Sequence, residues 1–123
     1  MRTIKFRYWS EDTKKMIDGK EAFGILNETI QHNLIVANIM QYTGLKDKNG
    51  KEVFEGDVLR LNGIGGDEKE CAIYQVFWND KTASFIDKKT KTALYLIGES
   101  AEVIGNIYSN PELKESKWTF VTN

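Results

Sequence analysis

The sequence predicts an all-β domain, a small β-barrel or meander with an N-terminal β-hairpin and at most short helical turns. Three observations predict it. Thr3 to Trp9 and Cys71 to Asn79 alternate side chains with the two-residue period of a strand. One proline against ten glycines leaves the turns to glycine and Asx chemistry, which is how hairpins are built. Further short strand-like segments recur between turn signals, a spacing that belongs to a barrel or sandwich rather than to alternating strands and helices.

The elements follow in order. Thr3 to Trp9 is expected to place Ile4, Phe6 and Tyr8 on one face and Lys5, Arg7 and Trp9 on the other, outward one. After a turn at 10–13, Lys14 to Asp18 returns as a short strand with Met16 inward, ended by Gly19. Phe23, Leu26 and Ile30 fall at helical spacing, but Gly24 and two asparagines interrupt them, so 20–33 reads as a short helix or irregular. Ile35 to Thr43 is rich in branched and aromatic residues. The Asn49-Gly50 pair then favours a type I′ hairpin turn, because both residues tolerate positive φ.

Val53-Phe54, a tight turn at Glu55-Gly56-Asp57 and a strand from Val58 to Leu61 come next, before a loop from Asn62 to Glu70. Cys71 to Asn79 is apolar on both faces, as expected of a central strand or of one lending a face to a partner. Ala83 to Ile86, Thr92 to Ile97 and Glu102 to Tyr108 complete the expected meander. Asn110-Pro111 opens a helical turn, and Trp118 to Val121 is expected to be a last strand. The chain is read as one domain, 1–123, with a hairpin and connecting segment over 1–45 and the main meander over 53–108.

Composition narrows function by exclusion. With 17 basic and 18 acidic residues the net charge is -1, so no global positive field exists to capture nucleic acid or anionic lipid. One cysteine cannot form an internal disulfide, which fits a reducing cytosol. The N-terminus has no apolar run of signal-peptide length, and Leu34 to Met40 is far short of a membrane span. The expectation is a soluble, cytoplasmic protein.

Candidate chemistry is sparse. His32 and Cys71 are too few to supply a dedicated metal site, and no nucleophile or carboxylate partner is identifiable for His32. Cys71 opens an apolar strand and reads as an inert core thiol. Glu55 and Asp57 flank Gly56 closely enough to share a cation or a proton, but the turn itself explains them, with the aspartate accepting from backbone N–H groups. Gly63-Ile64-Gly65-Gly66-Asp67 lacks the lysine and hydroxyl of a phosphate loop. Asn27-Glu28-Thr29 fits a glycosylation sequon that a cytosolic protein would leave unused. No catalytic, metal or cofactor site is expected, no small-molecule substrate is identified, and the chain is read as a non-enzyme.

Charge is uneven along the chain. Residues 2–20 carry net +3 and residues 80–91 net +2, offset by segments 55–70 and 99–115 at net -3 each. Lys5, Arg7 and Trp9, with Lys14 and Lys15 across the hairpin, make the arrangement that a stacking-plus-phosphate surface needs, so a nucleic-acid-binding module is one reading. The other is a homo-oligomer, because strands apolar on both faces exceed what one domain covers, and unlike charged segments suit a head-to-tail interface.

Three stretches also carry a family resemblance. They are Ile4-Lys5-Phe6-Arg7-Tyr8-Trp9 with Lys15-Met16-Ile17, the run from Met40 to Val58, and the run from Val103 to Leu113. In this order they resemble the YopX family of small phage and prophage proteins. The resemblance implies a mostly β, oligomeric protein encoded by a bacteriophage or prophage, and with that a place in the bacterial host cytoplasm. It implies no activity, and no catalytic residue carries over.

Overall fold

Two antiparallel sheets organise the chain. The structure, a computed structural model, describes residues 3–18, 38–63 and 71–115. The first sheet has the order β2-β1-β3-β4, from β1 (Phe6–Ser10), β2 (Lys15–Ile17), β3 (Ile39–Lys46) and β4 (Glu52–Phe54). The second has the order β7-β6-β5-β8, from β5 (Asp57–Asn62), β6 (Cys71–Asn79), β7 (Ser84–Asp87) and β8 (Glu102–Asn106). The all-β fold is as the alternation predicts, and the helical content of the described residues is three short 3₁₀ turns, Leu94–Leu96, Gly98–Ser100 and Pro111–Glu115.

One core joins the sheets. Val53 of β4 packs with Leu59 of β5, Tyr74 and Val76 of β6, and Leu94 and Ile97 of the 3₁₀ segment, all buried. β6 lies between β7 and β5, the central position that its apolar faces predict. Alternation sends Ala72, Tyr74 and Val76 inward.

Several elements differ from expectation. β3 runs to Lys46 and not Thr43, and its hairpin to β4 is not type I′. Gly50 has φ +83°, but Asn49 is not among the residues at positive φ. Gly50 N–H instead bonds Asp47 C=O at 3.0 Å and Asp47 N–H bonds Lys51 C=O at 2.8 Å, a tight turn closed by one left-handed glycine. The reason is Asp47, whose Oδ1 accepts from Asn49 and Lys51 N–H and whose Oδ2 accepts from Val103 N–H at 2.9 Å. Burial alone would raise this carboxyl, but the three donors hold it below its ordinary value.

Thr92 to Ile97 is not a strand. Only Ala93 bridges, to Ile86, before the 3₁₀ turn begins. Leu94 and Ile97, three residues apart, point inward while Tyr95 and Leu96 point out, a spacing that suits a helical turn and not a pleat. Nor does β8 close a simple meander, since it returns past β7 and β6 to pair with β5, with a bulge at Val58/Leu59. The segment 20–33, read as a short helix or irregular, with His32, the sequon at 27–29, most of the glycine-rich loop and the expected strand Trp118–Val121 lie outside the described residues.

Candidate functional site

The seam between the two sheets brings together all three stretches that carry the resemblance. Gly56, at φ +83°, turns the chain from β4 into β5. Its N–H bonds Val76 C=O at 3.0 Å and its C=O accepts from Ile107 N–H at 2.9 Å, so both bonds run into the second sheet's neighbourhood. A Cβ here would stand 3.3 Å from Met40 Sδ. Both flanking carboxylates serve the backbone, Asp57 as the turn reading predicts and Glu55 beyond it. Glu55 Oε1 accepts from Gln41 N–H at 2.9 Å, and Asp57 Oδ2 accepts from Phe54 N–H at 2.8 Å.

Asp57 does more than cap the turn. It is fully buried, and Arg7 Nη2 lies 2.6 Å from its Oδ1. The same guanidinium stands 4.7 Å from the centre of the Phe54 ring and donates to the Glu55 carbonyl at 3.4 Å. Burial pushes the Asp57 carboxyl up, while Arg7 and the Phe54 N–H pull it the other way. No signal in one sequence pairs residues 50 positions apart, and the sequence reading missed this ion pair.

The five expected nucleic-acid contacts are thus largely committed elsewhere. The placement of Arg7 and Trp9 on an outward face with Lys5 is corrected. Arg7 is nearly buried in its ion pair, and Trp9, only 5% exposed, stacks on Tyr108 with centroids 6.1 Å apart and planes at 21°. An indole so covered has no face to give a base. The opposite face is the open one, with Ile4 and Phe6 exposed. Alternation shows that a strand has two faces, but here both carried apolar surface, since arginine and tryptophan bury long apolar bodies. Lys5 pairs with Glu52 at 2.6 Å and Lys14 with Glu11 at 2.6 Å, both on the surface. Lys15 is exposed and forms no ion pair among the described residues.

Cys71 is buried, as expected of a core thiol. Among the described residues no group of three or more His, Cys, Asp or Glu is placed to hold a metal ion, and no helix is long and apolar enough to cross a membrane.

Comparisons with known proteins agree with this architecture. The chain matches the YopX protein family over residues 22–115, more than half its length. It is similar to the crystal structure of protein EF1440 from Enterococcus faecalis, with a TM-score of 0.65 and 25% sequence identity, covering 94% of this chain and 100% of that one. No curated protein matches it. The match takes in two of the three stretches gathered at the seam, Met40 to Val58 and Val103 to Leu113, and over most of its length the chain belongs to the YopX family.

Proposed function

We propose that the protein is a phage- or prophage-encoded accessory protein of the bacterial cytoplasm that acts by binding and self-association rather than by catalysis, without a cofactor. The observation that carries this reading is the apolar surface left outside the core. Tyr95 and Leu96 are 73% and 64% exposed, although they adjoin buried Leu94. Tyr95 also borders a groove of about 490 Å³ that includes Trp78, Phe85 and Leu45. On the first sheet, Ile4 and Phe6 line a second cleft of about 760 Å³ with Met16 and Phe54. Large apolar side chains exposed beside concave apolar surface are the usual mark of a contact face. Because the two faces are unlike, the contact that suits them is head-to-tail between copies. Family membership supports the phage origin.

Light scattering across micromolar concentrations tests the reading. Self-association is expected for the parent protein, with Tyr95→Ser/Leu96→Ser shifted toward monomer and melting unchanged. A parent protein that stays at the 14.1 kDa of one chain at every concentration overturns it.

A further inference from the structure

The other basic segment, residues 80–91, meets a different fate from the N-terminal hairpin. On β6 the alternation that buries Tyr74 and Val76 turns Phe77 to the opposite face, where it is 38% exposed. Lys88 Nζ and Lys91 Nζ stand 5.8 and 5.9 Å from the centre of its ring. Both distances fall just inside the limit of about 6 Å for a cation–π contact, so the ring holds the two ammonium groups weakly and a base and its phosphates can draw them aside.

The neighbouring acids are already satisfied. Asp87 is buried, its Oδ1 accepting from Gln75 N–H at 2.8 Å and its Oδ2 from Lys89 N–H, Thr90 N–H and Thr90 Oγ1. Asp80 accepts from Trp78 Nε1 at 2.7 Å. Lys81, Lys88, Lys89 and Lys91 form no ion pair among the described residues. The lysines are also presented by an ordered turn. Lys88 N–H bonds Gln75 C=O at 2.9 Å, Lys91 N–H bonds Asp87 C=O at 3.0 Å, and Asp87 N–H bonds Thr92 C=O at 2.8 Å.

We propose that this corner of the second sheet binds single-stranded nucleic acid, a base stacking on Phe77 and Lys88 and Lys91 taking the phosphates beside it. An aromatic ring beside two cations that form no ion pair, Lys91 Nζ giving only one exposed bond to the Lys88 carbonyl at 3.1 Å, fits a ligand in which π surfaces alternate with anions. A single strand offers both, whereas a duplex hides its base faces. An acidic peptide would occupy the lysines and leave the ring without a partner. The net charge of -1 confines attraction to the patch, so binding depends strongly on salt. The site uses neither Tyr95 nor Leu96 and does not depend on self-association.

Fluorescence anisotropy of a labelled oligothymidylate against the whole protein tests it. Binding is expected at low salt and weakens as salt rises. Phe77→Leu, which keeps apolar cover on the sheet, is expected to weaken it at least about fivefold. Lys88→Gln/Lys91→Gln is expected to lower the log-log salt slope by about 1.4. If Phe77→Leu lowers the melting temperature, the lysine pair, at the surface, decides the result. No binding by the parent protein at low salt, equal binding of a duplex, or a Phe77→Leu affinity unchanged in a folded protein overturns the site. So does a lysine variant that loses only its oligomeric state, which would make the patch a contact between copies. A monomer that binds the oligonucleotide overturns self-association alone.

Discussion

Arg7 beside Phe54 and Lys88 with Lys91 beside Phe77 are chemically similar corners, each a cation set against an aromatic ring. At the seam the guanidinium is 4.7 Å from the ring and 2.6 Å from a buried carboxylate. At the β6–β7 corner the ammonium groups are more than 1 Å further out, and the nearby carboxylate of Asp87 is spent on backbone donors. The difference lies in what the acid is doing. Where a buried acid needs a counter-charge, the cation and its ring become part of the fold. Where backbone N–H groups have already satisfied the acid, the cations stay available. Arginine suits the first role because its planar fork spans several acceptors, and lysine suits the second because its charge sits on a flexible stem.

Removing Arg7 should break this comparison with the largest effect. Arg7→Met leaves Asp57 buried without its counter-charge, and the expected loss is about 3–5 kcal/mol in urea unfolding. Lys88→Met, at the open corner, should change stability by less than about 0.5 kcal/mol. The pH dependence carries a definite sign. Burial already raises the Asp57 carboxyl, and without Arg7 one of the pulls against it is gone. The folded variant then holds a proton more tightly than the unfolded chain does. Its stability relative to the parent is therefore highest below about pH 4 and falls as pH rises through the elevated value. A loss below about 1 kcal/mol, or a difference curve that climbs with pH, would mean that the ion pair does not govern the seam.

How much of this was legible follows from the range over which each signal acts. β6 occupies Cys71–Asn79 as predicted, and the Gly56 turn stands where expected, because period and glycine chemistry are local. The inward face of β1 was not legible, since Ile4 and Phe6 on one side and the bodies of Arg7 and Trp9 on the other offer comparable apolar surface. It is decided by Tyr108 and Asp57, which lie far along the chain. The pairing of β8 with β5 was equally hidden, because register between distant strands leaves no mark in one sequence. Thr92 to Ile97 did carry an overlooked signal, the three-residue spacing of Leu94 and Ile97, which belongs to a helical turn. Within 80–91 the charge was visible, but the exposure of Phe77 and the satisfaction of Asp87 had to come from the fold.

Gly56 gives a smaller and more local test of the seam. A residue with a Cβ at φ +83° costs about 1–2 kcal/mol in backbone strain, and here the added atom also meets Met40 Sδ at 3.3 Å. Gly50 has the same φ with nothing within 4 Å of its missing Cβ. Gly56→Ala should therefore lower stability more than Gly50→Ala, by up to about 1 kcal/mol given the flexible thioether, as measured by thermal unfolding. Equal losses would show that close packing at the seam adds nothing to the turn's own strain.

The smallest effect separates the two corners by sign. Lys91 sits at φ +65°, a conformation that costs a side-chain-bearing residue about 1 kcal/mol relative to glycine. Its ammonium bonds the Lys88 carbonyl at 3.1 Å in an exposed position, which offsets little of that cost. Lys91→Gly is expected to leave thermal stability unchanged or raise it by up to about 1 kcal/mol. The same change removes one phosphate contact and should lower the salt slope of single-strand binding by about 0.7. At the seam, by contrast, a cation lost is stability lost. A Lys91→Gly protein that melted well below the parent would place this lysine with Arg7, as a residue of the fold, and leave Phe77 without one of the two charges on which binding there depends.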